Sequence, residues 1–301
     1  MHTACSTPAG IWLPLITPFR DGALDEPSVR RLVTHYAGQA IDGMILAATT
    51  GEGLTLDADE TARLVHVATT ALADSGRRLP VFLGLCGSDT RHLVTELDHT
   101  RDWPVDGYLI ACPYYSRPSQ AGLYQHFSAL ADATDRPILI YNIPYRTGVN
   151  MENPTMLRLA ERANIVGVKD CCANAAQSFD LLRDRPAGFA VMTGEDALFH
   201  TALTQGADGG ILAAAHVETH AYAHVQALLR AGAHDAALIA WRALIDLPRL
   251  LFAEPNPGPI KHWLWRAGLI DSPELRLPMT GISDALASRL DAAMAARTAG
   301  R

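Results

Sequence analysis

Short apolar runs recur roughly every 30 residues along the chain, separated by stretches whose apolar positions follow helical spacing. The runs lie at 10–17, 43–48, 80–85, 107–111, 137–142, 165–169, 189–193 and 210–213. Most are apolar at successive positions, so both faces of each strand are expected to be buried. That is the signature of a parallel sheet covered by helices. Helix starts fall between the runs: Asp25-Glu26-Pro27, Asp57-Ala58-Asp59-Glu60, Ser119 and Asn153-Pro154. Long Ala-, Leu- and Arg-rich helices follow, as at 60–73 and 216–231. Eight strand–helix units predict a (β/α)8 barrel of the α/β class. A doubly wound sheet is the alternative, but no GxGxxG follows the first run. From about residue 233 the alternation stops. Helices are expected there at 235–252, 259–267 and 282–297, with Pro255, Pro257, Pro259 and Pro278 in the connections. The expected division is a catalytic barrel over 1–232 and a helical region over 233–301 packed on it.

Composition narrows the function classes. Hydrophobic content of 49 % and charged content of 19 % fit a large buried core. A net charge of −7 argues against nucleic acid or an anionic membrane as partner. No apolar run reaches the roughly 18 residues of a membrane span. The start, Met1 to Cys5, lacks a basic stretch followed by an apolar one, so no export signal is expected. Five Cys without a CxxC pair read as reduced thiols, and the expected location is the cytoplasm.

Candidate chemistry collects at the expected C-terminal ends of the strands, where barrel enzymes carry their sites. The sixth run ends on Lys169. Of the 25 Lys and Arg, two are Lys, Lys169 and Lys261. The chain otherwise uses Arg for solubility, so a lysine closing an apolar strand is a candidate for amine chemistry, which a guanidinium cannot perform. A lysine snorkelling from a strand end is the bland alternative. On the same rim stand Thr49-Thr50-Gly51, a hydroxyl-bearing turn suited to a carboxylate, and Tyr115 and Tyr141, which could shuttle protons or serve as core. Arg146 sits in a Pro- and Gly-containing loop where it could grip a carboxylate or stay solvated.

Together these residues resemble the dihydrodipicolinate synthase family, the pyruvate-dependent class I aldolases that include N-acetylneuraminate lyase. The resemblance spans almost the whole chain. It rests on Thr49-Thr50-Gly51-Glu52, Pro113-Tyr114-Tyr115 with Arg117-Pro118-Ser119-Gln120, Tyr141-Asn142-Ile143-Pro144, Arg146-Thr147-Gly148, Gly167-Val168-Lys169-Asp170, Glu254-Pro255-Asn256-Pro257 and Leu275 to Thr280. The Arg146-Thr147-Gly148 loop resembles the synthase branch. The resemblance implies that Lys169 forms a Schiff base with pyruvate, that Tyr141 moves protons over it, and that Thr49 links Tyr141 to Tyr115 of a neighbouring subunit. It further implies that Thr50 and Gly51 hold the pyruvate carboxylate, that Arg146 receives L-aspartate 4-semialdehyde, and that Gly194 and Ile211 line the pocket. The implied product is 4-hydroxy-tetrahydrodipicolinate, on the route to diaminopimelate and lysine, made by a homotetramer without cofactor or metal. The chemistry requires a lowered amine pKa, because an ordinary lysine near 10.4 is only ~0.05 % neutral at pH 7.

Departures keep alternatives open. Ala48 replaces the family's usual Gly, Leu85-Cys86 a common Thr-Gly pair, and Cys171-Cys172 smaller residues after the lysine. Another pyruvate-dependent aldolase, acting on a sugar acid or keto-acid, is therefore one rival. A non-catalytic keto-acid-binding barrel is a second. His216, His220 and His224 at helical spacing motivate a metal-dependent aldolase as a third, although a solvent-facing row of His is the expected reading. Positions matching the family's regulatory lysine site hold Ala58, Thr61, Ser88 and His92, so feedback inhibition by lysine is expected to be weak or absent.

Overall fold

The computed structural model describes residues 7–299. Eight parallel strands close into a barrel: β1 Gly10–Pro14, β2 Gly43–Leu46, β3 Val81–Leu85, β4 Gly107–Ala111, β5 Ile138–Asn142, β6 Ile165–Asp170, β7 Ala190–Thr193 and β8 Gly209–Ile211. Each pairs with its neighbours in the chain, and β8 closes on β1 with Gly10 opposite Gly209. The expected (β/α)8 class is the one found.

Side chains alternate across each strand. Trp12, Ile45, Phe82, Leu109, Leu139, Tyr141, Met192 and Ile211 fill the barrel interior. Ile11, Leu13, Met44, Leu46, Val81, Leu83, Ile138, Ile140 and Val168 face the helices and belong to the larger outer core. Trp12 and Phe82 meet edge to face with centroids 5.0 Å apart. Gly43 makes room for that pair, since a Cβ there would lie 2.5 Å from the indole.

Helices α1 Glu26–Ala37, α2 Ala58–Asp74, α3 Thr90–His99, α4 Gln120–Asp132, α5 Asn153–Leu159, α6 Ala175–Asp184, α7 Phe199–Thr204 and α8 Ala215–Arg230 connect or follow the strands. Asp57 and Glu60 form a reciprocal capping box on α2. Asp25 and Ser119 accept backbone hydrogen bonds at the starts of α1 and α4. The C-terminal helices are α9 His234–Leu244, α10 Asp246–Leu251, α11 Gly258–Arg266 and α12 Asp284–Ala299. A single helix over 235–252 was expected, yet two are found. Pro248 explains the break, because its ring crowds the carbonyl four residues back, at Leu244, and offers no donor.

The three histidines of α8 do not share a face. Glu218 has non-helical angles (φ −134°, ψ 51°) and kinks the helix between His216 and His220. His220 and His224 are exposed, as expected, but His216 is buried. Its Nε2 accepts from the Ile16 amide at 3.2 Å and its Nδ1 donates to the Ala213 carbonyl at 2.8 Å. Burial pushes its pKa down to about 4, which keeps the ring neutral. His216 thus ties the end of β8 to the segment after β1. Among the described residues no cluster of three or more His, Cys, Asp or Glu is placed to hold a metal ion.

Candidate active site

Lys169 lies on β6 directly opposite Tyr141 on β5. Its position relative to Gly167 sends the side chain into the barrel. There it is buried, with Nζ 4.3 Å from the Tyr141 ring centroid. Desolvation lowers its pKa, and the Arg146 guanidinium adds to the effect, while Cys171, Asp196 and Glu195 oppose it. The neutral amine, the nucleophilic form, is therefore favoured relative to a solvated lysine. Tyr141 is buried as well. Desolvation holds its phenol protonated, while Arg146 and Thr49 act in the opposite direction.

Thr49–Gly51 forms a single tight turn after β2. Thr49 is exposed at the mouth, and Thr50 is buried with its Oγ1 accepting from Asn256 Nδ2 at 3.0 Å. Gly51 packs so close to the segment after β1 that a Cβ would sit 2.8 Å from the Leu15 carbonyl. Its own carbonyl accepts from Thr17 Oγ1 at 2.6 Å.

Arg146 lies on the one-turn helix Pro144–Thr147 after β5 and is exposed at the mouth. Beside it Tyr145 donates from its hydroxyl to Glu195 Oε1 at 2.9 Å. Desolvation pushes the Cys171 thiol well above its usual range, and Glu195, which follows β7, adds to that. Gly194 gives the space for this grouping. A Cβ on it would lie 2.5 Å from Lys169 Cε and closer still to Cys171 Sγ. Asp196 is buried, accepts from the Ala214 amide at 2.6 Å, and has its pKa pushed up to about 7 by desolvation. Ile211 is buried in the same interior cluster as Tyr141 and Cys171.

The fold thus brings together Lys169, Tyr141, Thr49 and Gly194, with Arg146 near enough to bias the amine. Tyr115 is not among them. Its side chain is 94 % exposed and packs against almost nothing of its own chain. Its loop is nonetheless fixed, since the Tyr115 amide donates to Thr147 O at 3.2 Å and Arg117 Nε to Gly148 O at 2.8 Å. Cys171, Glu195, Tyr145 and Asp196 were not singled out as site residues from the sequence. Cys171 could have been, because it shares the parity of Lys169 along the strand. Cys171 faces the interior, whereas Cys172 is half-buried with Sγ 3.3 Å from Ser178 Oγ.

A closed (β/α)8 barrel with a desolvated lysine against the face of a phenol in its mouth defines a barrel enzyme equipped for amine chemistry. A family profile narrows that class. The chain belongs to the Dihydrodipicolinate synthetase family, whose profile matches residues 7–297. It is 41 % identical over 282 residues to 4-hydroxy-tetrahydrodipicolinate synthase 2 of Clostridium acetobutylicum, covering 94 % of this chain and 98 % of that one. The crystal structure of dihydrodipicolinate synthase from Aquifex aeolicus superposes with a TM-score of 0.91 at 31 % identity, over 96 % of this chain and 98 % of the other. The enzyme from Cyanidioschyzon merolae, solved with lysine bound, gives 0.92 at 32 % identity over 97 % and 99 %.

Proposed function

We propose that this chain is a 4-hydroxy-tetrahydrodipicolinate synthase, a carbon–oxygen lyase that condenses pyruvate with L-aspartate 4-semialdehyde. The carrying observation is the buried Lys169 amine, 4.3 Å from the Tyr141 ring centroid, with its pKa lowered. The names of its relatives support the same reading. In this reading the Lys169 amine adds to the ketone carbon of pyruvate. The carbinolamine then loses water, the phenol of Tyr141 supplying the proton to the departing hydroxyl. The resulting cationic imine accepts the electron pair left when the methyl group loses a proton, and the enamine attacks the aldehyde carbon. Thr49 orients the Tyr141 hydroxyl, Thr50 and Gly51 hold the keto-acid carboxylate, and Arg146 holds the carboxylate of the aldehyde. Gly194 and Ile211 line the pocket. Ring closure by the amino group onto the imine carbon releases Lys169.

The exposed Tyr115 is read as a residue lent to a neighbouring copy, in a homotetramer built as a dimer of dimers. The barrel of 1–232 carries the chemistry, and the helical region of 233–301 packs on it. Among the described residues no helix is long and apolar enough to cross a membrane. The unpaired cysteines 86, 112, 171 and 172 fit a reducing cytoplasm.

Treatment with pyruvate and borohydride tests the proposal. A reduced adduct on Lys169 followed by turnover of aspartate semialdehyde is the expected outcome. An adduct with turnover of a sugar acid instead would assign a sister aldolase. No adduct would leave a keto-acid-binding barrel.

A further inference from the structure

The second lysine, Lys261, is as buried as the first, and the proposed chemistry does not use it. It lies on α11 with no side-chain exposure and forms an ion pair with Glu52, itself 2 % exposed. Its Nζ also donates to the Glu274 carbonyl at 2.7 Å and stands 4.4 Å from the Phe19 ring centroid. Glu52 is the residue that ends the Thr49–Gly51 turn, and its backbone is left-handed (φ 51°). A non-glycine residue holds that conformation only where its surroundings enforce it.

Those surroundings come from the C-terminal region. Glu52 Oε2 accepts from the Arg276 amide at 3.1 Å. The Arg276 guanidinium then reaches the Thr55 carbonyl at 2.9 Å and both oxygens of Glu60 at 2.6 and 2.5 Å, with Phe19 4.2 Å beneath it. Asn256 supplies a further link, its Nδ2 donating to Thr50 Oγ1. Stability alone is a poor reason for such a pair, because buried ion pairs are commonly no more stabilising than apolar packing. What a desolvated pair does supply is a single geometry, since the ammonium has acceptors in fixed directions.

We infer that Lys261 and Glu52 are positioning residues through which the C-terminal region fixes the Thr49–Gly51 turn for a keto-acid carboxylate. That ligand assignment rests on the proposed function, but the positioning does not. The double variant Glu52→Gln/Lys261→Met removes both charges and leaves none buried alone. It is expected to keep a cooperative melt, to speed amide hydrogen exchange across residues 49–56 by at least ~10-fold, and to leave exchange in β6 unchanged. Half-saturation by pyruvate in borohydride trapping should rise by at least ~10-fold, with the saturating rate within about threefold of the parent. Lys261→Met alone, which strands the carboxylate, should be worse than the double variant in both readouts. A folded double variant whose turn exchanges within about twofold of the parent would overturn the inference. If the parent itself takes no pyruvate adduct, the functional reading fails, and the exchange comparison still decides the positioning.

Discussion

Lys169 and Tyr141 are paired twice. Their Cα atoms are register partners on adjacent strands, and the amine lies over the face of the phenol. The barrel's parallel register therefore sets the placement of the amine, with no loop involved. Sites built on strands hold their geometry more tightly than sites built on loops, and imine formation depends on that geometry.

Lys169→Arg keeps the charge and loses the nucleophile. Loss of the borohydride-trapped pyruvate adduct and a fall in turnover of at least ~1000-fold are expected, with the melting temperature near that of the parent. Intact-mass measurement after borohydride checks the first and a coupled assay the second. Since Lys261 is the other lysine and is sealed against solvent, an adduct remaining on this variant would point to the wrong residue.

Tyr141→Phe removes a hydroxyl that proton transfer needs and keeps the ring under the amine. Turnover should fall by ~100- to 10,000-fold. Trapping of the adduct should become slow but still run to completion, as followed by mass against time.

Gly194→Ala places a methyl group against Lys169 Cε and Cys171 Sγ. The lysine stem must shift, and displacement of a reacting group by about an ångström costs ~100-fold in rate. Overpacking should also cost about 1–3 kcal/mol of stability, read from chemical denaturation.

The rate of imine formation should rise with pH through a Lys169 pKa lying below the ordinary lysine value. The sign follows from the causes: desolvation first, then the Arg146 cation, both disfavour the ammonium, against the anions of Asp196 and Glu195. Arg146→Ala removes one of the lowering influences. Its rising limb should move to higher pH, so its trapping rate at pH 7 falls. A limb that stays put or moves to lower pH would contradict this.

Free L-lysine should not half-inhibit the enzyme below ~1 mM. Ala58 and Ser88, two of the four positions matching the regulatory site of relatives, are exposed and lack a carboxylate, and Ser88 Oγ already donates to the Tyr114 carbonyl at 2.5 Å. Neither Thr61 nor His92 adds an acidic side chain for a second ammonium group. Initial rates across a lysine titration check it.

The apolar runs determined the eight strands and their order, because a parallel strand buried on both faces has no way to hide its composition. The rarity of lysine marked Lys169, since neither solubility nor surface pairing explains a residue the chain otherwise avoids. Other features were out of reach. Periodicity tells which face a residue occupies, but not which residue stands across the barrel. Closure and register alone bring Glu195 and Tyr145 around Lys169, and Glu52 to Lys261. His216 looked like its exposed neighbours because helical spacing carries no notice of a kink at Glu218. Local chemistry fixed the elements and the reactive amine. The burial that lowers the amine's pKa, and the charges that orient its surroundings, arise from contacts between segments distant in the chain, which only the folded barrel makes.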